Sequence, residues 1–346
     1  MKGVLLVNLG SPDSTDPIDV KKYLDEFLMD PRVIDVPFWL RSFIVRGIIL
    51  NTRPKKSAAA YQKIWWEEGS PLIVISERLQ KKIQDRTNVP VALAMRYGSM
   101  TLKKGLQELV DQGVEEVLTI PLYPQFAMAT TETIDVKVEE LKKEFFPQLE
   151  ITSLPAFYNK QEYIEVLSRS IAESLDGVAY EHLIFSYHGV PERHIYKRDI
   201  TKNHCKIDGS CCITPSPAHE FCYRHQCLRT TALVAEKLGL KPGTYSNAFQ
   251  SRLGFDPWLK PPTDRTIERL ALEGVKKLAI VTPAFVSDCL ETLEEIAMEG
   301  KELFHEAGGT EFTVIPCLND RDDWAEVLTG WIDHWRIVDV KTAIAK

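Results

Sequence analysis

Five of the chain's seven cysteines, Cys205, Cys211, Cys212, Cys222 and Cys227, fall within "HCKIDGSCCITPSPAHEFCYRHQC" at 204–227, interleaved with His204, His219 and His225. Thiols gathered this closely serve disulfides, redox chemistry or metal binding. The start, "MKGVLLVNLGSP", has only a short apolar run before Asn8 and Gly10, too short for a signal-peptide core. A reducing cytoplasm is therefore expected, and metal or redox work is favoured over disulfides; the odd cysteine count agrees. Four thiolates can hold a structural zinc or a [2Fe–2S] centre. The spacing C-x5-C-C-x9-C-x4-C lacks the paired C-x2-C knuckles of zinc ribbons, while the three histidines keep zinc open.

Two further sets sit where strands are expected to end. His188, with Gly189 and Pro191, forms a tight turn that would aim the imidazole into a cleft; a satisfied structural histidine is an equally open reading. In "AFVSDCLETLEEI", 284–296, a helix capped by Ser287 or Asp288 puts Asp288, Glu291 and Glu295 at i, i+3 and i+7. A carboxylate stripe suits a hard divalent cation. Taken alone it reads as a solvated acidic face, and Glu294, Glu299 and Glu302 spread the acidity further. Arg96 and Tyr97 after "VALAM", Tyr123 and Gln125 in "PLYPQFA", and Gln250, Ser251 and Arg252 before Trp258 place guanidinium forks near hydroxyls, as carboxylate recognition requires.

These side chains need strands to carry them. Apolar runs at Gly3–Val7, Val91–Met95, Val114–Pro121, Leu183–Tyr187 and Leu278–Pro283 alternate with amphipathic stretches at Leu102–Gln112, Tyr163–Ala172, Thr230–Leu238 and Arg265–Glu273. Such alternation predicts parallel sheets with helices on both faces. The halves also match. "QGVEEVLTIPLYPQFAMATTET" at 112–133 shares its grammar with "EGVKKLAIVTPAFVSDCLETLEE" at 273–295, and "LVNLGSP" at 6–12 aligns with "FSYHGVP" at 185–191, setting Leu9 opposite His188. A duplicated α/β unit follows, with ligands beyond the carboxyl ends of the strands.

At 346 residues, 44% hydrophobic and 26% charged, the chain fits about two globular domains. A net charge of −7 argues against nucleic-acid binding. No run reaches the ~18 apolar residues of a membrane span, and no G-x-G-x-x-G or P-loop is present, which argues against a nucleotide cofactor. One segment, "VPFWLRSFIVRGIIL" at 36–50, breaks the rhythm. Arg41, Ser42 and Arg46 form a narrow polar wedge on an otherwise large apolar helix. Internal packing is its commonest explanation; a lip over a flat apolar ligand is the rival.

Together "LVNLGSP", "RPKKSAAAYQKIW..EGSPL" at 53–72, "MRYG" at 95–98, "YPQ" at 123–125, "SYHGVPER" at 186–193, "FQSRLG..PWL" at 249–259 and "FVSDCLETLEEI" at 285–296 resemble ferrochelatase in order and spacing, from about residue 3 to about residue 320. The resemblance implies an α/β chelatase-like fold of two Rossmann-like domains, each a parallel sheet flanked by helices, with a porphyrin cleft between them. The expected boundaries are 1–157, with a porphyrin lip at 36–70; 158–319, carrying the metal site and the 204–227 loop; and 320–346, a helix packing back on the fold. It implies insertion of Fe²⁺ into a porphyrin with loss of two protons, the terminal step of heme synthesis.

By that resemblance His188 and Glu291 are catalytic and meet the substrate Fe²⁺, with Asp288 and Glu295 extending the carboxylate path. Leu9, Arg53, Tyr61, Ser70, Arg96, Tyr123, Trp258 and Phe285 match porphyrin-lining positions. Cys289 stands where mitochondrial members carry a histidine. Leu9 stands where the coproporphyrin-using branch has a metal-reaching tyrosine, which points to protoporphyrin IX. The 204–227 loop resembles that of a bacterial subgroup with cluster cysteines in an internal segment, implying a [2Fe–2S] cluster on Cys205, Cys212, Cys222 and Cys227, with Cys211 as substitute for Cys212 and zinc as the alternative cofactor. Expected partners are protoporphyrin IX and Fe²⁺, with peripheral contact at the inner membrane, no nucleic acid, and a monomer or homodimer in the cytoplasm. A cobalt-inserting chelatase of the same fold and a non-catalytic heme or porphyrin carrier with a redox-sensing loop are the other functions weighed.

Overall fold

The computed structural model describes residues 1–206, 208–252 and 256–337. Ile207 of the cysteine loop, Leu253–Phe255 of the "FQSRLG" stretch and the 338–346 end of the expected C-terminal segment lie outside the described residues. The fold is α/β: two four-stranded parallel sheets flanked by helices, in two compact units. One unit takes Met1–Leu122, Met128–Pro155 and Asn319 onward; the other takes Tyr123–Ala127 and Ala156–Leu318.

In the first unit β1 (Lys2–Asn8), β2 (Val91–Met95), β3 (Glu116–Pro121) and β4 (Glu150–Ser153) order as β2-β1-β3-β4. Val4, Leu5, Leu6 and Val7 of β1 are wholly buried, because a central parallel strand is covered on both faces. Around the sheet lie α1 (Pro17–Leu28), α2 (Phe38–Ser42), α3 (Leu50–Ile64), α4 (Pro71–Gln84), α5 (Leu102–Asp111) and α6 (Thr133–Phe145). In the second unit β5 (His182–His188), β6 (Tyr245–Gln250), β7 (Lys277–Val281) and β8 (Glu311–Val314) order as β6-β5-β7-β8, with α7 (Gln161–Ser174), α8 (Glu192–Lys197), α9 (Tyr223–Leu238), α10 (Thr263–Leu272) and α11 (Lys301–Glu306). Finally α12 (Asp322–Ile337) packs on α4, and the Lys2 ammonium lies 4.9 Å over the Trp335 ring.

The two sheets share one strand order, as the internal match requires. The matched glycines explain themselves sterically. A Cβ on Gly10, whose φ is +109°, would stand 2.2 Å from the Tyr97 carbonyl oxygen; one on Gly189 would stand 2.9 Å from that of Gln250. Each central strand therefore turns hard against the backbone beyond its neighbour.

Residues 36–50 correct the expectation of internal packing. The segment is α2, then wide π-helical turns over Phe43–Ile49, then α3. Its polar wedge divides: Arg41 is buried and donates to the Ile34 and Val36 carbonyls, while Arg46 is exposed and makes two hydrogen bonds to Asp25. Trp39 is 71% exposed, and Phe38 and Phe43 are 63% exposed each. With Arg41 drawn inward to backbone carbonyls, these aromatic rings lie on the surface of the unit.

Candidate functional site

His188 is the last residue of β5, in register with Gln250 at the end of β6. Its Nδ1 lies 2.6 Å from the Gly189 carbonyl oxygen. A carbonyl can only accept, so Nδ1 carries the hydrogen and the neutral ring keeps its lone pair on Nε2. Trp258, 6.4 Å away, and Phe285, edge-on at 6.3 Å, flank the ring. The Tyr223 hydroxyl donates to the His188 carbonyl at 2.8 Å, and the Gly189 amide donates to the Gln250 carbonyl at 2.7 Å. The imidazole is half-buried, oriented, and free to accept a proton at one nitrogen.

The acidic helix corrects the expected i, i+3, i+7 stripe. Asp288 precedes the helix, and Glu291–Gly300 winds as a π-helix. With i→i+5 bonding the turn is wider, so steps of four, Glu291, Glu295 and Glu299, run along one face. A side chain entering the backbone ladder is a known cause of such widening. Here the Gln250 amide donates to the Glu291 carbonyl at 3.1 Å, while its oxygen accepts from the Ser186 hydroxyl at 2.9 Å.

Glu295 has the strongest electrostatic signature of the row. Burial pushes its pKa above the glutamate range, and the charges of Glu291 and Glu299 push the same way. The hydrogen bond from Ser251, 2.6 Å to Oε2, and the nearby His188 imidazole oppose that rise. Ser251 makes this bond from a left-handed backbone, φ +61°, a conformation that costs a non-glycine residue energy and clusters at functional sites. In the sequence Ser251 and Gln250 read only as carboxylate-recognising side chains; in the fold they bond Glu295 and the Glu291 carbonyl of the acidic helix. Asp288 accepts from the Thr292 hydroxyl at 2.7 Å and fixes the helix start. Burial, reinforced by Glu291 and Asp288, holds the Cys289 and Cys317 thiols far above their usual pKa, so both stay protonated.

The remaining porphyrin-lining candidates are placed as follows. Tyr123 is buried in the stretch that groups with the second unit. In the first unit, Leu9 is half-buried just after β1, Arg53 is exposed on α3, Tyr61 is buried edge-on to Trp65, and Ser70 is the buried N-cap of α4. Arg96 is fastened inside its own unit. Its Nη2 reaches Asp30 at 2.5 Å and its Nε reaches the Thr133 hydroxyl at 2.8 Å. Burial works to raise the Asp30 pKa, but bonds from Thr133 and the Arg32 amide, with the Arg96 charge, hold it below its usual value.

In the cysteine loop, Cys205 and Cys212 both interact through hydrogen bonds with Cys222, and Cys205 feels the charge of Cys211. The Cys211 sulfur accepts from the Lys206 amide at 3.2 Å and from Arg224 at 3.4 Å. Burial and the Asp199 charge push the Cys205 thiol up to about 11. Cys227 is fully buried in α9, against Tyr223 and Tyr187 as well as Cys212. The loop's thiol group thus comprises half-buried Cys205 with buried Cys211, Cys212 and Cys222. Among the described residues no three His, Cys, Asp or Glu side chains are already drawn together as a metal site.

Comparison with known proteins identifies the family. The model of the Ferrochelatase family matches residues 1–335. A ferrochelatase of Opitutus terrae is 47% identical over 337 residues, 96% of this chain and 97% of its own. One of Ectopseudomonas mendocina is 48% identical over 327 residues, 94% and 95% of the two chains. Among solved structures, SirB from Bacillus subtilis with Fe³⁺ superposes with a TM-score of 0.52 at 13% identity, covering 96% of this chain and 94% of that one. At that identity the likeness concerns the fold alone.

The raised Glu295 pKa fixes two signs. A divalent cation on the row competes with the Glu295 proton, so its affinity climbs as pH rises through that pKa. The folded chain also binds this proton more tightly than the unfolded chain, so the stability Glu295 contributes falls as pH rises through the same window. Glu295→Gln is expected to raise the melting temperature at neutral pH, to leave it unchanged in acid, and to flatten the pH dependence of Fe²⁺ affinity. A lower melting temperature at neutral pH would overturn the assignment.

Proposed function

The chain belongs to the ferrochelatase family, and from that premise we propose that it inserts Fe²⁺ into protoporphyrin IX, releasing two protons, as a lyase in heme synthesis. The observation that carries the mechanism is the fixed tautomer of His188. Two pyrrole N–H protons must leave as the metal enters, and Nε2 presents a lone pair, beside two aromatic rings, that can receive one. Glu291, Glu295 and Glu299 form a row of oxygen ligands leading to the same strand end. Carboxylates take a hydrated divalent ion from water and release it again, because they bind hard cations without the permanence of thiolates. Asp288 serves this row by fixing its first turn.

For the macrocycle we assign Trp258 and Phe285, which flank His188, and Leu9, Arg53, Tyr61, Ser70 and Tyr123 as lining groups. Arg96, held by Asp30 and Thr133, is a positioning residue. Leu9 has no metal-reaching oxygen, which favours protoporphyrin IX over coproporphyrin III. Trp39, Phe38 and Phe43, with exposed Arg53, Lys55 and Lys56 following on α3, form an apolar surface edged with positive charge. No helix among the described residues is long and apolar enough to cross a membrane. We assign this surface to peripheral contact with an anionic bilayer, on the cytoplasmic side.

The thiol group fits an iron–sulfur centre in donor chemistry. Cys205, Cys211, Cys212 and Cys222 are four sulfurs within one loop, and the Lys206 amide and Arg224 already direct donors at Cys211, where thiolate charge would develop. We therefore place Cys211 in the ligand set and leave Cys227 in the core. A [2Fe–2S] centre would supply one-electron redox chemistry there, while the loop's own residues order the segment that follows α8.

Protoporphyrin fluorescence in the presence of Fe²⁺ is expected to fall with turnover, and faster than that of coproporphyrin III. His188→Ala is expected to slow it about 10²–10⁴-fold with porphyrin binding retained; near-normal turnover removes His188 from the mechanism, and stoichiometric binding without turnover in the native chain identifies a carrier. Anaerobically purified protein is expected to carry acid-labile sulfide and visible absorption, both lost in Cys222→Ser and kept in Cys227→Ser. A colourless, zinc-bearing protein without sulfide rules the cluster out. Replacing Trp39 and Phe43 by serine is expected to weaken co-flotation with anionic vesicles roughly tenfold or more; unchanged flotation would place the contact elsewhere.

A further inference from the structure

Apart from the thiols, the 204–227 loop gathers three imidazoles on one piece of backbone. His204 Nε2 lies 3.3 Å from His219 Nε2, and the Cys211 carbonyl oxygen lies 3.0 Å from the first and 3.2 Å from the second. The same oxygen also accepts the Thr214 amide at 3.2 Å. Three donors thus approach an oxygen with two lone pairs. Thr214 takes one; both imidazole nitrogens crowd the other. If both nitrogens carry hydrogens, two N–H dipoles point at one spot. If one does not, it is served only by a long imidazole–imidazole contact. No arrangement of hydrogens satisfies all three atoms well.

A metal ion does. At the about 2.0–2.1 Å distance usual for imidazole nitrogen on a divalent first-row ion, adjacent ligands of an octahedron or tetrahedron stand about 2.9–3.4 Å apart, and all three edges of this triangle fall in that range. The donors are also held from behind. Asp199 accepts the amides of His204 and Cys205 at 2.8 Å each, fixing the His204 backbone. His225 stacks on His219 at 3.5 Å with planes 10° apart, and its Nδ1 bonds the Cys212 carbonyl at 2.8 Å, fixing the His219 ring. We propose that His204 Nε2, His219 Nε2 and the Cys211 carbonyl oxygen bind a divalent transition-metal ion of the imidazole-preferring kind, separate from the His188 and Glu291 site and using no sulfur ligand. Water completes the coordination. The ion ties residue 204 to residue 219 and so clamps the loop around its thiols.

Co²⁺ is the probe, titrated into the protein as purified, with its loop thiols in their native state. Wild type is expected to bind one more equivalent than His204→Ala or His219→Gln, and the lost spectrum is expected to lack an intense near-ultraviolet thiolate-to-cobalt band. His225→Ala, which removes a neighbour but no donor, is expected to keep that equivalent. His219→Gln retains a polar side chain, so it reports on the site even if His204→Ala fails to fold. A second readout is tryptic cleavage after the exposed Lys202 and Lys206, which Co²⁺ is expected to slow in wild type and not in His219→Gln. Equal stoichiometry and equal cleavage across these variants would overturn the proposal. So would a thiolate band that disappears in Cys222→Ser, because the ion would then sit on sulfur. Metallation by the His188 site is a separate assay, and its outcome leaves this one standing.

Discussion

The geometry of the site hangs on one buried residue, Gln250. Its backbone pairs with His188 across β5 and β6, its carbonyl receives the Gly189 amide, and its side-chain amide bridges the Ser186 hydroxyl to the Glu291 carbonyl. Base and first carboxylate are therefore fastened to the same amino acid. The imidazole cannot shift along its strand without disturbing the turn that carries it. The acidic helix cannot tighten to α geometry without displacing the amide from its carbonyl.

The chemistry follows from an electrostatic arrangement that is costly for the fold. Burial, and after it the charges of Glu291 and Glu299, raises the Glu295 pKa above the ordinary glutamate range. A cation placed on such a row would offset the charges of its carboxylates. The Asp30, Arg96 and Thr133 cluster of the first unit shows the opposite design. Every charge there faces an opposite charge or a hydrogen-bond donor, and its carboxyl is held below the usual range. One network is built for stability and the other to receive a charge it lacks.

Much of this was legible from residue types. The central strands β1, β3, β5 and β7, with β2, announce themselves as apolar runs because parallel strands are covered on both faces. Strands β4 and β8 are largely half-exposed and β6 opens with Tyr245, Ser246 and Asn247, so none of them shows such a run. The π-helix at 291–300 was not visible, since a wider turn leaves no distinct mark in the pattern of residue types. For residues 36–50 internal packing was only one of two readings, because a wheel shows which side is polar but not which side faces the protein; Arg41 turns inward to carbonyls while Trp39, Phe38 and Phe43 are exposed. Cys211 entered the thiol group through the 3₁₀ turn at Ser210–Ile213, a local bend that cysteine spacing does not encode.

The duplication gives the most economical account of Arg96. In each unit the chain beyond the strand beside the central one reaches across to the helix that follows the third strand. Arg96, next to Leu9, donates to the Thr133 carbonyl and hydroxyl, where π-helical turns at Met128–Glu132 give way to α6. Gln250, next to His188, donates to the Glu291 carbonyl, where the second π-helix begins. The two side chains do one job at matching places in two copies of the same sheet. That job explains why the Arg96 fork is occupied although its sequence context suggests carboxylate recognition. It also locates where the copies diverge: the scaffold of strand end, glycine turn and wide helix is shared, while His188 and Glu291 stand in the second unit where Leu9 and Thr133 stand in the first. The proposed metal chemistry belongs to the second copy, where an imidazole at the strand end lies near carboxylates of the helix that follows the third strand.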